Sequence, residues 1–260
     1  MKILIAGKGG VGKTTISALL SLELAERGFE VLALDTDSTP NLAISLGVPY
    51  EEADKITPLS KNEKLVENRT GARPGEWGAV FSLTPKVDDL IESYGIKINE
   101  KLSLFVVGSI DQGKEGCLCP AIALAKALLR HVLSGDKPIV VVDSEAGAEV
   151  FGRGLAEKFD IMLCVSEPTY KSLKISEKLL RMGRDLRISR ELLLINKVQD
   201  EDIRGVYEEI FAKHPIPWIA IEFDESLKVI EGRKASLSEL PASSPLKAKV
   251  KMIAEHILGR

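Results

Sequence analysis

The chain has 260 residues, with 35 Lys and Arg against 38 Asp and Glu, so its totals offer no global field to draw a nucleic acid or a membrane surface. That length fills one large α/β core, and a single domain over residues 1–260 is expected. Three cysteines, an odd number, argue against a disulfide framework, and no run approaches 18 uncharged apolar residues; a soluble, cytoplasmic protein is expected.

Residues 3–6 read as a buried strand running directly into Gly7-Lys8-Gly9-Gly10-Val11-Gly12-Lys13-Thr14, and residues 14–27 carry helical apolar spacing. This matches G-x-x-x-x-G-K-[ST] in the strand-to-helix setting that the motif requires. Glycines let backbone N–H groups of residues Gly9 to Thr15 turn around phosphate oxygens, and the helix adds its positive dipole end. Lys13 is expected to reach the β- and γ-phosphates of ATP, and Thr14 to ligate Mg²⁺.

The second strand, residues 31–34, ends in Asp35-Thr36-Asp37. Residues 50–78 then break the rhythm, being polar and rich in Glu, Lys, Pro and Gly; they read as an insertion on one end of the sheet, with a helix near 54–68 and a possible strand at 79–83 behind it. Strand 102–107 leads to Gly116-Cys117-Leu118-Cys119-Pro120 and a helix over 120–133. Two thiols at a helix start favour the thiolate that metals require, yet one chain supplies only two ligands. Spacing alone leaves two readings open: half of a tetrahedral site completed by a second copy across a two-fold axis, or ordinary loop thiols. Cys164, inside an apolar run, reads as a buried small hydrophobe.

Strand 138–142 ends in Asp143, a carboxylate placed to hold a Mg²⁺-bound water beside the loop. Strands follow at 161–165, 192–195 and 218–221, with helices at 170–185, 202–213 and 245–258. Short apolar strands alternating with amphipathic helices predict an α/β fold, a mostly parallel sheet flanked by helices, in which all these features meet beyond the carboxyl ends of the strands. The last helix sets Leu246, Val250, Ile253 and Ile257 on one face beside three lysines, a pattern that suits core packing or a membrane surface.

Lys8 is not needed to cradle phosphate within one chain, and the variant loop Lys8-Gly9-Gly10-Val11-Gly12-Lys13-Thr14-Thr15 resembles that of the MinD/ParA-type ATPases. The resemblance implies a homodimer in which Lys8 crosses to the partner's nucleotide, Asp37 orients the attacking water, Asp35 supports Mg²⁺, and Asp143 with Gly147 forms a second switch. It also implies that Asn196-Lys197 read adenine, with Glu167-Pro168 near the base; the glutamate of Ile221-Glu222-Phe223-Asp224 departs from the pattern of many relatives. Within that superfamily the chain looks most like the CooC-type ATPases that insert nickel into carbon monoxide dehydrogenase, through Ile56-Thr57-Pro58-Leu59, Thr84-Pro85-Lys86-Val87-Asp88, the Cys-x-Cys pair, Gly147-x-Glu149 and Ile195-Asn196-Lys197-Val198. That likeness implies that Cys117 and Cys119 bind Ni²⁺ or Zn²⁺ between two subunits and that a nickel enzyme is the client. Val150 stands where those relatives often carry histidine. Two rivals are a spatial-positioning ATPase and an iron–sulfur carrier using the same cysteines.

Overall fold

The structure, a computed structural model, describes residues 1–37, 41–76, 79–109, 119–145, 147–199, 203–233 and 235–259. Its strands are β1 (Lys2–Gly7), β2 (Val31–Asp35), β3 (Ile96–Lys97), β4 (Leu102–Val106), β5 (Ile139–Asp143), β6 (Ile161–Ser166), β7 (Glu191–Val198) and β8 (Trp218–Glu222). They form one sheet in the order β3-β4-β2-β5-β1-β6-β7-β8, parallel except for the β3–β4 pair. Every residue of β1, β2, β5 and β6 is buried, as expected for strands covered on both faces. Side chains alternate between two cores: Leu4 and Ala6 of β1 enter one, Ile3 and Ile5 the other.

The helices are α1 (Lys13–Glu26), α2 (Asn41–Ser45), α3 (Tyr50–Ala53), α4 (Glu63–Thr70), α5 (Leu90–Tyr94), α6 (Cys119–Ser134), α7 (Arg153–Ala156), α8 (Tyr170–Asp185), α9 (Ile203–Phe211), α10 (Glu225–Gly232) and α11 (Pro245–Leu258). This is a single α/β domain with the sheet sandwiched between helices. In α11, Leu246, Val250, Ile253 and Ile257 are all buried in the core that α1 also enters. That face is thus used inside the protein, packed in the core. Among the described residues no helix is long and apolar enough to cross a membrane.

Two expectations are corrected in the insertion. The helix expected near 54–68 is instead shorter and starts later: α3 ends at Ala53, a 3₁₀ turn occupies Leu59–Lys61, and α4 runs over Glu63–Thr70. Pro58 cannot continue a helix, and the Asn62 side chain accepts a hydrogen bond from the Leu65 N–H, starting α4 afresh. Residues 79–83 form no strand: no neighbouring strand pairs with them, and Val80 and Leu83 are exposed. The insertion does lean on the end of the sheet, since the Ser60 N–H donates to Val107 O, the residue after β4. The approach is close enough that a Cβ at Gly108 would lie 2.5 Å from Ser60 Oγ.

Candidate nucleotide site

The phosphate loop leaves β1 at the centre of the sheet, where the chain turns first to β2 on one side and later to β6 on the other. Such a switch point opens a crevice at the carboxyl ends of the strands. Glycine is required twice by contact. A Cβ on Gly7 would lie 2.3 Å from Val165 O of β6, and one on Gly12 would lie 2.5 Å from Asn196 Nδ2; Gly12 also has φ +100°. Gly12 caps α1 without a side-chain hydrogen bond, whereas Asn62, Thr169, Asp224 and Ser244 cap α4, α8, α10 and α11 with theirs. With glycine at the cap, no cap side chain occupies the first N–H groups of α1, an arrangement compatible with an anion at the helix start.

Lys13 is buried, and its Nζ donates to the carbonyl of Lys8 at 3.1 Å, bridging the loop. Burial lowers its pKa, partly offset by Asp143, Asp37 and Glu145. Behind the loop, Asp35 and Asp143 are register partners at the ends of β2 and β5, 1% and 2% exposed. Asp35 accepts from the N–H groups of Asp37 (3.0 Å) and Leu42 (3.2 Å). Burial above all, with the neighbouring Asp143, pushes its carboxyl up to about 8. Asp143 accepts from Ser17 Oγ at 3.0 Å and bonds Thr14; burial pushes it up to about 6, and those hydroxyls and Lys13 pull it down. Two adjacent buried carboxylates with raised pKa values, beside a threonine hydroxyl, form an all-oxygen set suited to Mg²⁺, whose charge would offset their repulsion.

A cavity of about 810 Å³ collects most of the residues expected from sequence: Gly9, Gly10, Gly12, Lys13, Thr14, Thr15, Asp37, Asn196 and Lys197. Val11 sits in the core beneath it, and Lys8 is exposed at its rim. Glu167 joins through Lys197, whose Nζ lies 2.8 Å from Glu167 Oε1; Pro168, half-buried, is not among the lining residues. Cys117 and the side chain of Cys119 lie outside the described residues, and Cys164 is buried with its thiol pushed up to about 12 by desolvation. Among the described residues there is no group of three or more His, Cys, Asp or Glu able to hold a metal ion. Sequence reasoning missed Asn41, Ile44 and Leu227 on the cavity wall, and it named Phe223 only within the Ile221–Asp224 segment whose glutamate departs from the pattern of relatives.

A glycine loop between strand and helix, a bridging lysine and two buried acids at adjacent strand ends define a P-loop ATPase. The chain belongs to the CbiA family, the CobQ/CobB/MinD/ParA nucleotide binding domain, which matches residues 2–237. It is 46% identical over 202 residues to an ATP-binding protein of Methanocaldococcus jannaschii, covering 78% of this chain and 77% of that one. It is 40% identical over 198 residues to the carbon monoxide dehydrogenase accessory protein CooC of Rhodospirillum rubrum, covering 76% of this chain and 74% of that one. In fold it is similar to the septum site-determining protein MinD of Pyrococcus horikoshii, solved with Mg-ADP, at a TM-score of 0.67, 19% identity and coverage of 98% of this chain and 95% of that one.

Proposed function

We propose that this ATPase is a cytoplasmic metallochaperone: a homodimer that binds Ni²⁺ or Zn²⁺ through Cys117 and Cys119 of both subunits and delivers nickel to a carbon monoxide dehydrogenase or similar enzyme. The observation that carries the reading is the 40% identity to the CooC accessory protein over three quarters of both chains. The Cys-x-Cys pair of the sequence supplies a reason for it, since two such pairs make the four thiolates that a closed tetrahedral or square-planar site takes. Burial of the apolar face of α11 removes the feature that favoured a membrane-positioning ATPase.

At the nucleotide, Lys13 and the N–H groups of residues 9–15 would hold the phosphates, Thr14, Asp35 and Asp143 would hold Mg²⁺, and Asp37 would orient the attacking water. Bound there, Mg²⁺ neutralises charge on the β- and γ-phosphates. Asn196 keeps Nδ2 on Val11 O, leaving Oδ1 as an acceptor for the amino group of adenine. Metal and nucleotide both favour the closed dimer, so each raises the other's affinity by the same factor.

Elemental analysis of anaerobically purified protein tests the reading. One Ni²⁺ or Zn²⁺ per dimer is expected, lost on replacing Cys117 and Cys119 by serine while nucleotide binding by the single subunit persists and Cys164→Ser changes nothing. A double variant that still carries its metal removes the main reason for calling the protein a metallochaperone.

A further inference from the structure

We propose that Lys197, tied to Glu167, is a positioning residue that aims the phosphate-binding amides of the loop, and that it does so whatever base the nucleotide carries. The proposal rests on the nucleotide site and is independent of the metal reading.

Consecutive strand residues point to opposite faces of a sheet, yet Asn196 and Lys197 both reach the same loop. Two irregularities make this possible: the pairing of β7 with β8 shifts register between Ile195 and Val198, and Lys197 takes the left-handed conformation, φ +62°, which costs a non-glycine residue energy. The result is a pair of contacts to adjacent carbonyls. Asn196 Nδ2 donates to Val11 O at 2.8 Å, and Lys197 Nζ donates to Gly10 O at 2.7 Å.

In a planar trans peptide the C=O and the following N–H point opposite ways. Holding the carbonyls of Gly10 and Val11 toward β7 turns the N–H groups of Val11 and Gly12 away from it, into the loop. These are the donors that a phosphate meets. Lys197 is itself held, because Glu167 Oε1 accepts from Nζ at 2.8 Å and the Glu167 N–H donates to Ser172 Oγ at 3.0 Å. A continuous chain of contacts thus runs from the first turn of α8 through Glu167 and Lys197 to Gly10. With side chains 39% and 32% exposed, the Lys197–Glu167 pair adds little stability, so its effect lies in the geometry of the loop. Among the described residues, both acceptors that engage Nζ belong to this chain of contacts, which sets Lys197 to work on the phosphates and not on the base.

The test compares Mg²⁺-dependent binding of ATP, ITP and inorganic tripolyphosphate, the last by competition, in Lys197→Met, Lys197→Arg and Glu167→Leu. Lys197→Met is expected to weaken all three by one common factor, about tenfold or more, the worth of a hydrogen bond from a charged donor, with the ATP:ITP ratio unchanged. Lys197→Arg, which keeps a charged donor, restores most of the loss. Glu167→Leu, which roughly keeps the volume but removes the acceptor for Nζ, weakens all three in the same pattern and decides the matter if the methionine variant does not fold. A changed ATP:ITP ratio with tripolyphosphate unaffected makes Lys197 a base reader and overturns the proposal. Unchanged binding of all three ligands overturns it as well.

Discussion

Lys13 and Asp37 line the same cavity, yet the chemistry assigns them separate duties. Lys13 is buried and spans the loop, and on the proposed function its ammonium would meet ground-state phosphate oxygens. Asp37, half-buried two residues after Asp35, is an acceptor suited to the attacking water. Replacing Lys13 by alanine should therefore weaken Mg-ATP binding by at least the worth of a charge-assisted hydrogen bond, about tenfold to a hundredfold. Asp37→Asn should keep that affinity and lower kcat by about a hundredfold or more, the scale of losing a group that orients or deprotonates the nucleophile. Nucleotide titration and phosphate release separate the two effects. If Asp37→Asn hydrolyses at the normal rate, the role passes to Glu145, which lies two residues after Asp143 and faces the same cavity.

Elements meet at Asp224, where the end of β8 is joined to α10 and α11. One carboxylate oxygen accepts from the Ser226 N–H at 2.9 Å and starts α10; the other accepts from the Ser244 hydroxyl and from the Leu246 N–H at 3.4 Å, while Ser244 caps α11. Burial pushes this carboxyl up, but those hydrogen bonds outweigh it and hold the group below its ordinary 3.8. Asp224→Ala should cost about 1–3 kcal/mol of stability, read as a drop in Tm. A depressed folded pKa gives stability that is present above the unfolded value and lost as pH falls through the folded one. The Tm gap between wild type and Asp224→Asn should therefore hold near neutrality and close below about pH 4. None of this junction was legible in the sequence, because α10 is short and its partners are brought together only by the fold. The seven long strands and five long helices were legible, since their aliphatic periodicity is local and strong. The P-loop and the two acids were legible because a phosphate calls for contiguous donors, and the Mg²⁺ expected with it calls for carboxylates at neighbouring strand ends. Lys197 meeting Gly10, 187 residues away, was not, since it depends on a bulge that leaves no mark in composition. The insertion was misread where Pro58 and Asn62 divide what apolar spacing alone would join.

For the molecule as a whole, the question is what the exposed lysine of the loop does. The backbone of Lys8 serves its own chain by accepting from Lys13 Nζ, while the residue is exposed at the rim of the cavity and absent from its lining. Its side chain is therefore free of the inward duty that Lys13 performs, and a second subunit facing this rim would meet it first. A cation supplied across an interface stabilises charge that develops on the transferred phosphoryl group, an effect worth about 10³-fold or more in kcat. Lys8→Ala should lower hydrolysis on that scale and leave ATP affinity nearly unchanged, because the Gly9–Thr15 cradle stays intact. Mixing then decides between action within one chain and action across the dimer. A Lys8→Ala subunit retains Asp37 and its own cradle, and an Asp37→Asn subunit retains Lys8. If Lys8 acts in trans, each mixed dimer has one complete site, and hydrolysis returns on combining two proteins that are each inactive. If mixed dimers form, as shown by pull-down of differently tagged subunits, and no hydrolysis returns, Lys8 serves its own nucleotide and the facing-dimer arrangement loses its catalytic basis.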